Sequence, residues 1–256
     1  MLRRIAIIVT VVIALAVGAV AGWTAWLARS LPSVAELQAW QPNRALVPLS
    51  AIPPQVRHAF IATEDGSFYH EGALDYAAVA RAAWVDLTHM RPLQGGSTIT
   101  QQTARMLFLN RDKTLSRKLK ELVVAERLNR AWSKRRILDV YLNRIYLGPH
   151  ATGVRAAAHH YFHRPLNQLR LAQVATLAGL AANPRRLNPH RHPRAAKQRR
   201  DHVLRRMLAM GYVGPARAHG AEHARMLATR ERPPFHGVPA APPGARRGMH
   251  VPPTAG

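Results

Sequence analysis

Two short stretches of this chain guide the interpretation of the rest: Glu64-Asp65-Gly66-Ser67-Phe68 and, some thirty residues later, Gly95-Gly96-Ser97-Thr98-Ile99-Thr100-Gln101-Gln102. The second stretch combines two glycines, three hydroxyl side chains and two amides, and it has no apolar face to bury. Such a composition favours neither a core position nor a helix, and it offers many hydrogen-bonding groups. The pattern therefore predicts contact with a ligand rich in hydroxyl or phosphate oxygens.

The charge of the chain restricts its partners. Lysine and arginine number 37 against 13 aspartates and glutamates, which gives a formal net charge of +24. A balance of this kind indicates an anionic partner, and the two usual candidates are nucleic acid and anionic lipid. The chain has no cysteine, so disulfides and thiolate metal sites are excluded.

The N-terminus separates these two candidates. The segment Ile5–Ala28 carries no charge, and a helix of this length is about 36 Å long, enough to cross a bilayer core. Arg3 and Arg4 precede the segment and Arg29 follows it, a distribution that weakly favours a cytoplasmic N-terminus. The alternative is a cleaved signal peptide ending at Ala19-Val20-Ala21. Both interpretations place the remaining chain outside the cytoplasm, so nucleic acid is not an expected partner.

Helical periodicity dominates the centre of the chain, and no stretch shows sustained period-two alternation, so the fold class is mainly α. We divide the chain into an N-terminal transmembrane anchor (1–30), a proline-rich connector (31–55), a helical domain (56–210), and a basic, then proline-rich tail that is predicted to be disordered (211–256). Four helices are predicted in the domain: one with Leu115, Leu119, Leu122 and Val123 on its buried stripe, one capped by Ser133, one capped by Asn167, and one over Pro193–Met210.

Together these blocks resemble the bacterial peptidoglycan glycosyltransferases, which polymerise lipid II, and the resemblance runs from about Val56 to Pro193. It implies a lysozyme-like helical domain with a smaller membrane-proximal jaw lobe, to which Tyr76–Leu93 would contribute. The chain looks like the monofunctional version of the family, similar to the glycosyltransferase domain of class A penicillin-binding proteins. The implied partners are lipid II, the lipid-linked glycan chain, an anionic membrane surface and other cell-wall synthesis proteins.

The resemblance also implies roles for individual residues. Glu64 matches the general base that deprotonates the acceptor GlcNAc 4-hydroxyl, while the lipid-linked chain is transferred with inversion and undecaprenyl pyrophosphate leaves. Glu121 matches a second essential glutamate, which supports the pyrophosphate through a divalent cation (Mg²⁺ or Mn²⁺) or through nearby cations. No organic cofactor is implied. The predicted substrate-binding residues are Asp65, Phe68, Gly96, Ser97, Thr98, Gln101, Gln102, Arg105, Lys113, Arg117 and Lys120.

Several features depart from the family pattern or allow another interpretation. Arg105 and Lys113 exchange the usual order of lysine and arginine, and His70 lies one position early. Glu121 is also four residues after Arg117, the spacing of an ordinary helical ion pair. A lytic enzyme of the same broad fold and a non-catalytic scaffold are the alternative functions. The histidines show no metal-ligand spacing, so a zinc site is not expected.

Overall fold

The computed structural model describes residues 2–42, 46–70, 97–110 and 114–226. Regular structure in these ranges is helical, apart from two 3₁₀ turns and one isolated antiparallel bridge between Tyr146 and Thr152. The α-helices are α1 (Leu2–Arg29), α2 (Val34–Ala39), α3 (Pro54–Glu64), α4 (Ile99–Phe108), α5 (Leu115–Ala131), α6 (Lys134–Arg144), α7 (Val154–Phe162), α8 (Leu171–Leu180), α9 (Pro193–Ala209) and α10 (Pro215–His223).

The prediction of a mainly helical chain is confirmed for the described residues. The predicted jaw segment Tyr76–Leu93 lies outside them. Among the helices that the structure describes, none has both the length and the apolar character of a membrane-crossing segment. The lysozyme-like arrangement of lobes, the domain boundaries and the transmembrane helix stay predictions. The prediction of disorder from residue 211 onward is wrong for Pro215–His223, which form α10 and pack against α9.

Hydroxyl side chains cap the N-termini of α4, α5 and α6, as Ser33 does for α2. Thr98, Thr114 and Ser133 each accept a hydrogen bond from the backbone N–H three residues later, at 3.1 to 3.3 Å, which satisfies one of the free donors of the first turn. The prediction that Ser133 caps a helix is confirmed. The prediction for Asn167 is wrong, because this residue lies in a 3₁₀ turn and α8 begins four residues later.

The buried face of α5 differs from the predicted stripe. Leu119, Leu122 and Val123 are half-buried, whereas Val124, Ala125 and Leu128 are fully buried. Glu121 shares the face of these three residues because they follow it by three, four and seven positions. A carboxylate therefore occupies a core position at the start of the buried face, with no exposed surface.

Helix α8 is buried from Ala172 to Leu180, and both α3 and α9 pack against it. Gly179 lies at a close contact with α9, since a Cβ atom built there would lie 3.0 Å from Cγ of Arg199. A glycine inside a helix costs about 0.5–1 kcal/mol relative to alanine, and here it gives the stem of Arg199 room. The packing brings α9 beside α3, which ends at Glu64.

The described part of the connector is fixed to the domain by side chains of α5, of its C-cap Trp132 and of α6. These donate hydrogen bonds to connector carbonyls at 2.7 to 2.9 Å: Arg127 to Leu31 and Pro32, Trp132 to Leu37, and Arg136 to Trp40. The connector also forms the short helix α2, whose first turn is closed by reciprocal bonds between Ser33 and Glu36. Its prolines interrupt regular structure without excluding it.

Candidate active site

Glu64 is the last residue of α3, and its side chain keeps 13% of its surface exposed. Its Oε2 accepts a hydrogen bond of 2.9 Å from Nε2 of Gln102. Its Oε1 lies 3.9 Å from a terminal guanidinium nitrogen of Arg199. A carboxylate with one amide bond, one nearby cation and access to solvent can accept a proton from an incoming group.

The next residue, Asp65, joins the two motifs that stood out in the sequence. It follows the last residue of α3 as its C-cap and is buried, and its Oδ2 accepts a hydrogen bond of 2.8 Å from the backbone N–H of Ile99 at the start of α4. This bond satisfies a free donor of the first turn of α4. Asp65 thereby fixes the end of α3, with Glu64, against the beginning of α4. A role in substrate binding is not tested, and that assignment stays a prediction.

The second motif is more ordered and more buried than its composition predicts. Ile99 to Gln102 form the first turn of α4, and Ile99, Thr100 and Gln101 are buried. Two contacts explain this difference: Thr98 caps the helix, and Asp65 supplies a second acceptor. The prediction of a stretch unsuited to helix or core is wrong for the part that the structure describes.

Gln102 connects Glu64 to the core through both ends of its amide. Its Nε2 donates to Glu64 and also to the backbone carbonyl of Ser97 at 3.3 Å. Its Oε1 accepts from the hydroxyl of Tyr141 at 3.4 Å. Burial raises the pKa of Tyr141 well above its ordinary value, and the nearby Glu64 carboxylate raises it further. Tyr141 therefore remains a donor, which turns the NH₂ group of Gln102 toward Glu64.

Glu121 is surrounded by cations. Its Oε2 lies 2.6 Å from a guanidinium nitrogen of Arg117 and 3.5 Å from one of Arg105, and its Oε1 lies 2.6 Å from Nζ of Lys118. Helix α4 supplies Arg105, while α5 supplies the other two cations. The ion pair of Arg117 with Glu121 does form, so both interpretations of this glutamate remain compatible with the structure.

Lys118 joins this cluster to the second motif, and the sequence interpretation missed it. Besides Glu121, its Nζ contacts Oγ of Ser97 and Oε1 of Gln101, each at 3.0 Å. The spacing contains the signal, because a residue three positions before Glu121 shares its helix face, whereas an immediate neighbour does not. Lys120 has no hydrogen bond or ion pair with another residue that the structure describes.

Phe68 is a predicted site residue that the structure places outside the two carboxylate clusters. The ring of Phe68 is fully buried in the core, where Nζ of Lys134 lies 4.9 Å from its centroid. Gly96 and Lys113 lie outside the described residues. Substrate contacts of Phe68, Gly96, Lys113 and Lys120 stay predictions.

Helix α4 contributes to both clusters: Gln102 contacts Glu64, Gln101 contacts Lys118, and Arg105 contacts Glu121. The two carboxylates differ in what they can do. Glu64 is accessible and can take up a proton, whereas Glu121 is inaccessible and both its oxygens are occupied by cations. The three cations and one carboxylate leave this cluster with a net charge of +2, which suits it to an anionic ligand.

Comparison with known proteins relates this arrangement to a family. The sequence matches the Transglycosylase family over residues 33–208. Penicillin-binding protein 1A of Aquifex aeolicus is 44% identical over 189 residues, which make up 74% of this chain and 26% of that protein. Penicillin-binding protein 1F of Bacillus subtilis is 41% identical over 180 residues, 70% of this chain and 25% of that protein. A candidate transglycosylase of Cupriavidus necator is 42% identical over 193 residues, 75% of this chain and 83% of that protein.

The chain thus spans about a quarter of the length of the two penicillin-binding proteins. Among solved structures, penicillin-binding protein 1A from Haemophilus influenzae aligns with a TM-score of 0.45 at 26% identity, over 73% of this chain and 18% of that chain. The family match covers more than half of the sequence and confirms the predicted resemblance. The chain belongs to the Transglycosylase family.

Proposed function

We propose that this protein is a peptidoglycan glycosyltransferase that polymerises lipid II into glycan strands. The observation that carries the proposal is the pairing of an accessible carboxylate, Glu64, with a net-positive cluster around the inaccessible Glu121, both attached to helix α4. Glycosyl transfer from a pyrophosphate donor needs a base for the acceptor hydroxyl and positive charge for the leaving group. Family membership and the geometry of the two clusters support the same assignment.

Glu64 is the base in this proposal. As the 4-hydroxyl oxygen of the acceptor GlcNAc bonds to the anomeric carbon of the donor chain, its proton passes to Glu64. The bond from the anomeric carbon to the pyrophosphate oxygen breaks, and undecaprenyl pyrophosphate leaves with inversion at that carbon. Gln102 holds the carboxylate in place through the bond to Oε2, so that Oε1 is directed to the acceptor side.

The leaving pyrophosphate gains negative charge as the bond breaks, and preorganised cations lower the barrier by several kcal/mol. Arg105 and Lys118 retain 39% and 37% of their side-chain surface, so a ligand can reach them while Glu121 holds them from behind. In this assignment Glu121 does not touch the proton in transit. It fixes the cations that would otherwise repel one another.

A divalent cation at Glu121 fits the described residues poorly. Hard divalent cations take several oxygen ligands, including more than one carboxylate in many sites. Glu121 is a single carboxylate in contact with three positive side chains, and the described part of the chain holds no group of three acidic or histidine side chains that could bind a metal. We therefore assign the positive charge to Arg105, Arg117 and Lys118, and no step of the reaction to a metal.

We also propose that the protein acts at the outer face of the cytoplasmic membrane and meets other cell-wall synthesis proteins there. The uncharged run Ile5–Ala28 and the strong positive charge of the chain support this location. Fractionation at high salt, which screens the attraction of the basic surface to lipid, tests the anchor: the full chain should stay with the membranes, and a variant that lacks residues 1–30 should be released. Recovery of the full chain in the supernatant would contradict the proposed anchor.

The experiment that tests the proposed function uses the purified full chain and lipid II labelled in its sugar. We expect products that lengthen with time and that a muramidase degrades to the disaccharide unit. A lytic enzyme would instead shorten preformed glycan strands and leave lipid II unchanged, and a scaffold would do neither. Either of these results would overturn the proposal.

A further inference from the structure

The connector is bound by the folded domain almost as soon as it leaves α1. Helix α1 ends at Arg29, and one terminal nitrogen of Arg127 on α5 donates hydrogen bonds to the carbonyls of Leu31 and Pro32, at 2.8 and 2.9 Å. The side chain of Leu31 is itself buried in the core. Only Ser30 therefore lies between the end of α1 and backbone that the domain holds.

Further contacts continue this hold along the connector. Three more side chains donate to its carbonyls at 2.7 to 3.0 Å: Trp132 to Leu37, Arg136 to Trp40, and Asn143 to Val47. Asn143 also accepts the backbone N–H of Val47 at 2.9 Å, and Arg127 is attracted by the exposed Glu36 of α2, a weaker contact that solvent screens. Together with Arg127, the three donors form a clasp on the connector.

The helix that holds the start of the connector also carries the cation cluster. Arg127 follows Glu121 by six positions on α5, which is less than two helical turns and about 9 Å along the axis. Arg117 and Lys118, which contact Glu121, lie on the same helix. The distance between the end of α1 and the cluster is therefore set by one rigid helix and one side chain.

This distance matters for a substrate whose pyrophosphate is joined to a lipid. Such a pyrophosphate stays at the level of the headgroups, a layer about 5–8 Å thick on each side of a bilayer. A free connector of residues 31–55 would let the domain move away, because a flexible chain of that length spans about 25–30 Å on average. The clasp removes this freedom from the described part of the connector.

We propose that the clasp fixes the height of the folded domain above the membrane, and so holds the cluster around Glu121 at the level of the lipid-linked pyrophosphate. Arg127 is the positioning residue nearest to the anchor. This inference rests on the proposed function and on the proposed anchor. If the clasp served stability alone, its loss would slow the enzyme equally on membrane-bound and on soluble substrates.

The first test measures the height of the domain and needs no substrate. Because the chain has no cysteine, Arg130→Cys gives one exposed position on α5 for a fluorescent label, and the protein is placed in phosphatidylcholine vesicles whose headgroups carry energy acceptors. A six-residue Gly-Ser insertion between Ser30 and Leu31 keeps the clasp intact and should raise the label by about 10 Å. The energy transfer should therefore fall.

A connector without a clasp would respond differently to the same insertion. Six residues added to a free chain of residues 31–55 lengthen its average span by only about a tenth, because the span grows with the square root of length. Energy transfer that is unchanged by the insertion would therefore overturn the inference.

The second test compares polymerisation of lipid II in the same vesicles with that of a lipid II analogue whose short prenyl chain makes it soluble in water. The insertion should slow the vesicle reaction at least about fivefold, because the effective concentration of the substrate falls, and should leave the soluble reaction within about twofold. Arg127→Ala should have a smaller effect of the same kind, since it releases the connector only as far as Leu37, and Arg127→Lys should restore most of the rate.

Arg130→Ala is the matched control, because Arg130 lies on the same helix and pairs with the exposed side chain of Glu126. It should leave both rates unchanged. Equal losses on the two substrates, or no loss on either, would overturn the inference while the proposed function stands. If the energy transfer falls as expected but the unaltered enzyme polymerises neither substrate, then the clasp sets the height and the proposed function is wrong.

Discussion

Replacing Glu121 by glutamine removes the one negative charge from a cluster of three cations. The amide can still accept a hydrogen bond through its oxygen, but its NH₂ group then faces a cation. Arg105, Arg117 and Lys118 lie within 3.5 Å of the carboxylate, so the variant leaves three positive groups close together with no counter-charge. We expect Glu121→Gln to lower the free energy of unfolding. We also expect it to slow polymerisation at temperatures where the variant is folded.

The size of the stability loss follows from the exposure of each partner. The side chain of Arg117 is only 16% exposed, and breaking a buried pair on one side costs about 3–5 kcal/mol. Arg105 and Lys118 are more than a third exposed, so each of their pairs adds less than about 1 kcal/mol after screening by solvent. Because glutamine retains one acceptor, we expect about 3 kcal/mol in total, equivalent to a fall in Tm of about 6–12 °C for a domain of this size.

Urea and thermal unfolding followed by circular dichroism measure this loss. Glu126→Gln is the matched control, since Glu126 lies on the same helix and pairs only with the exposed Arg130 among the described residues, and it should change stability by less than about 0.5 kcal/mol. Polymerisation is then compared at a temperature where both variants are folded, and there Glu121→Gln should be about 10²-fold slower. A loss of stability below about 1 kcal/mol would refute the reasoning about the cluster.

Three further predictions concern the cations, the backbone and the metal. Arg105→Ala should slow lipid II polymerisation at least about tenfold, while the charge-retaining Arg105→Lys should have a much smaller effect. If both variants polymerise at the rate of the unaltered enzyme, Arg105 lies away from the pyrophosphate. Gly153→Ala should lower the free energy of unfolding by about 2–4 kcal/mol, because φ is +81° and a Cβ atom would lie 2.5 Å from the carbonyl oxygen of Asn143; Gly220→Ala, in an open helical position, should stabilise instead. A chelator should change the rate by the same factor in the unaltered enzyme and in Glu121→Gln, and a metal response lost only in the variant would place the ion at Glu121.

Local signals predicted much of the fold that the structure describes. The sequence pattern predicts the Ser133 cap from capping chemistry and the burial of Ile137, Leu138, Tyr141, Leu142 and Ile145 from helical spacing, and both are confirmed. The prediction for Asn167 failed because the N-cap preference of asparagine does not distinguish a 3₁₀ turn from an α-helix. The helix that follows begins where Oε1 of Gln173 reaches back to the backbone N–H of Arg170, a contact that its composition did not indicate.

The site was less predictable, because its contacts join distant segments. Helical spacing alone could have selected Lys118 over Lys120 as the partner of Glu121. It could also have shown that Glu121 begins the buried face of Val124, Ala125 and Leu128. The contact of Arg199 with Glu64 depends on how α3, α8 and α9 pack, and no local pattern contains that information.

The central claim is that Glu64 takes the proton from the acceptor hydroxyl. The most direct measurement is the rate of lipid II polymerisation by Glu64→Gln beside Glu126→Gln, with the Tm of both variants recorded. The account predicts a loss of about 10²–10⁴-fold for Glu64→Gln, a near-normal rate for Glu126→Gln, and folded protein in both cases. A folded Glu64→Gln protein that polymerises within about threefold of the unaltered enzyme would contradict the claim.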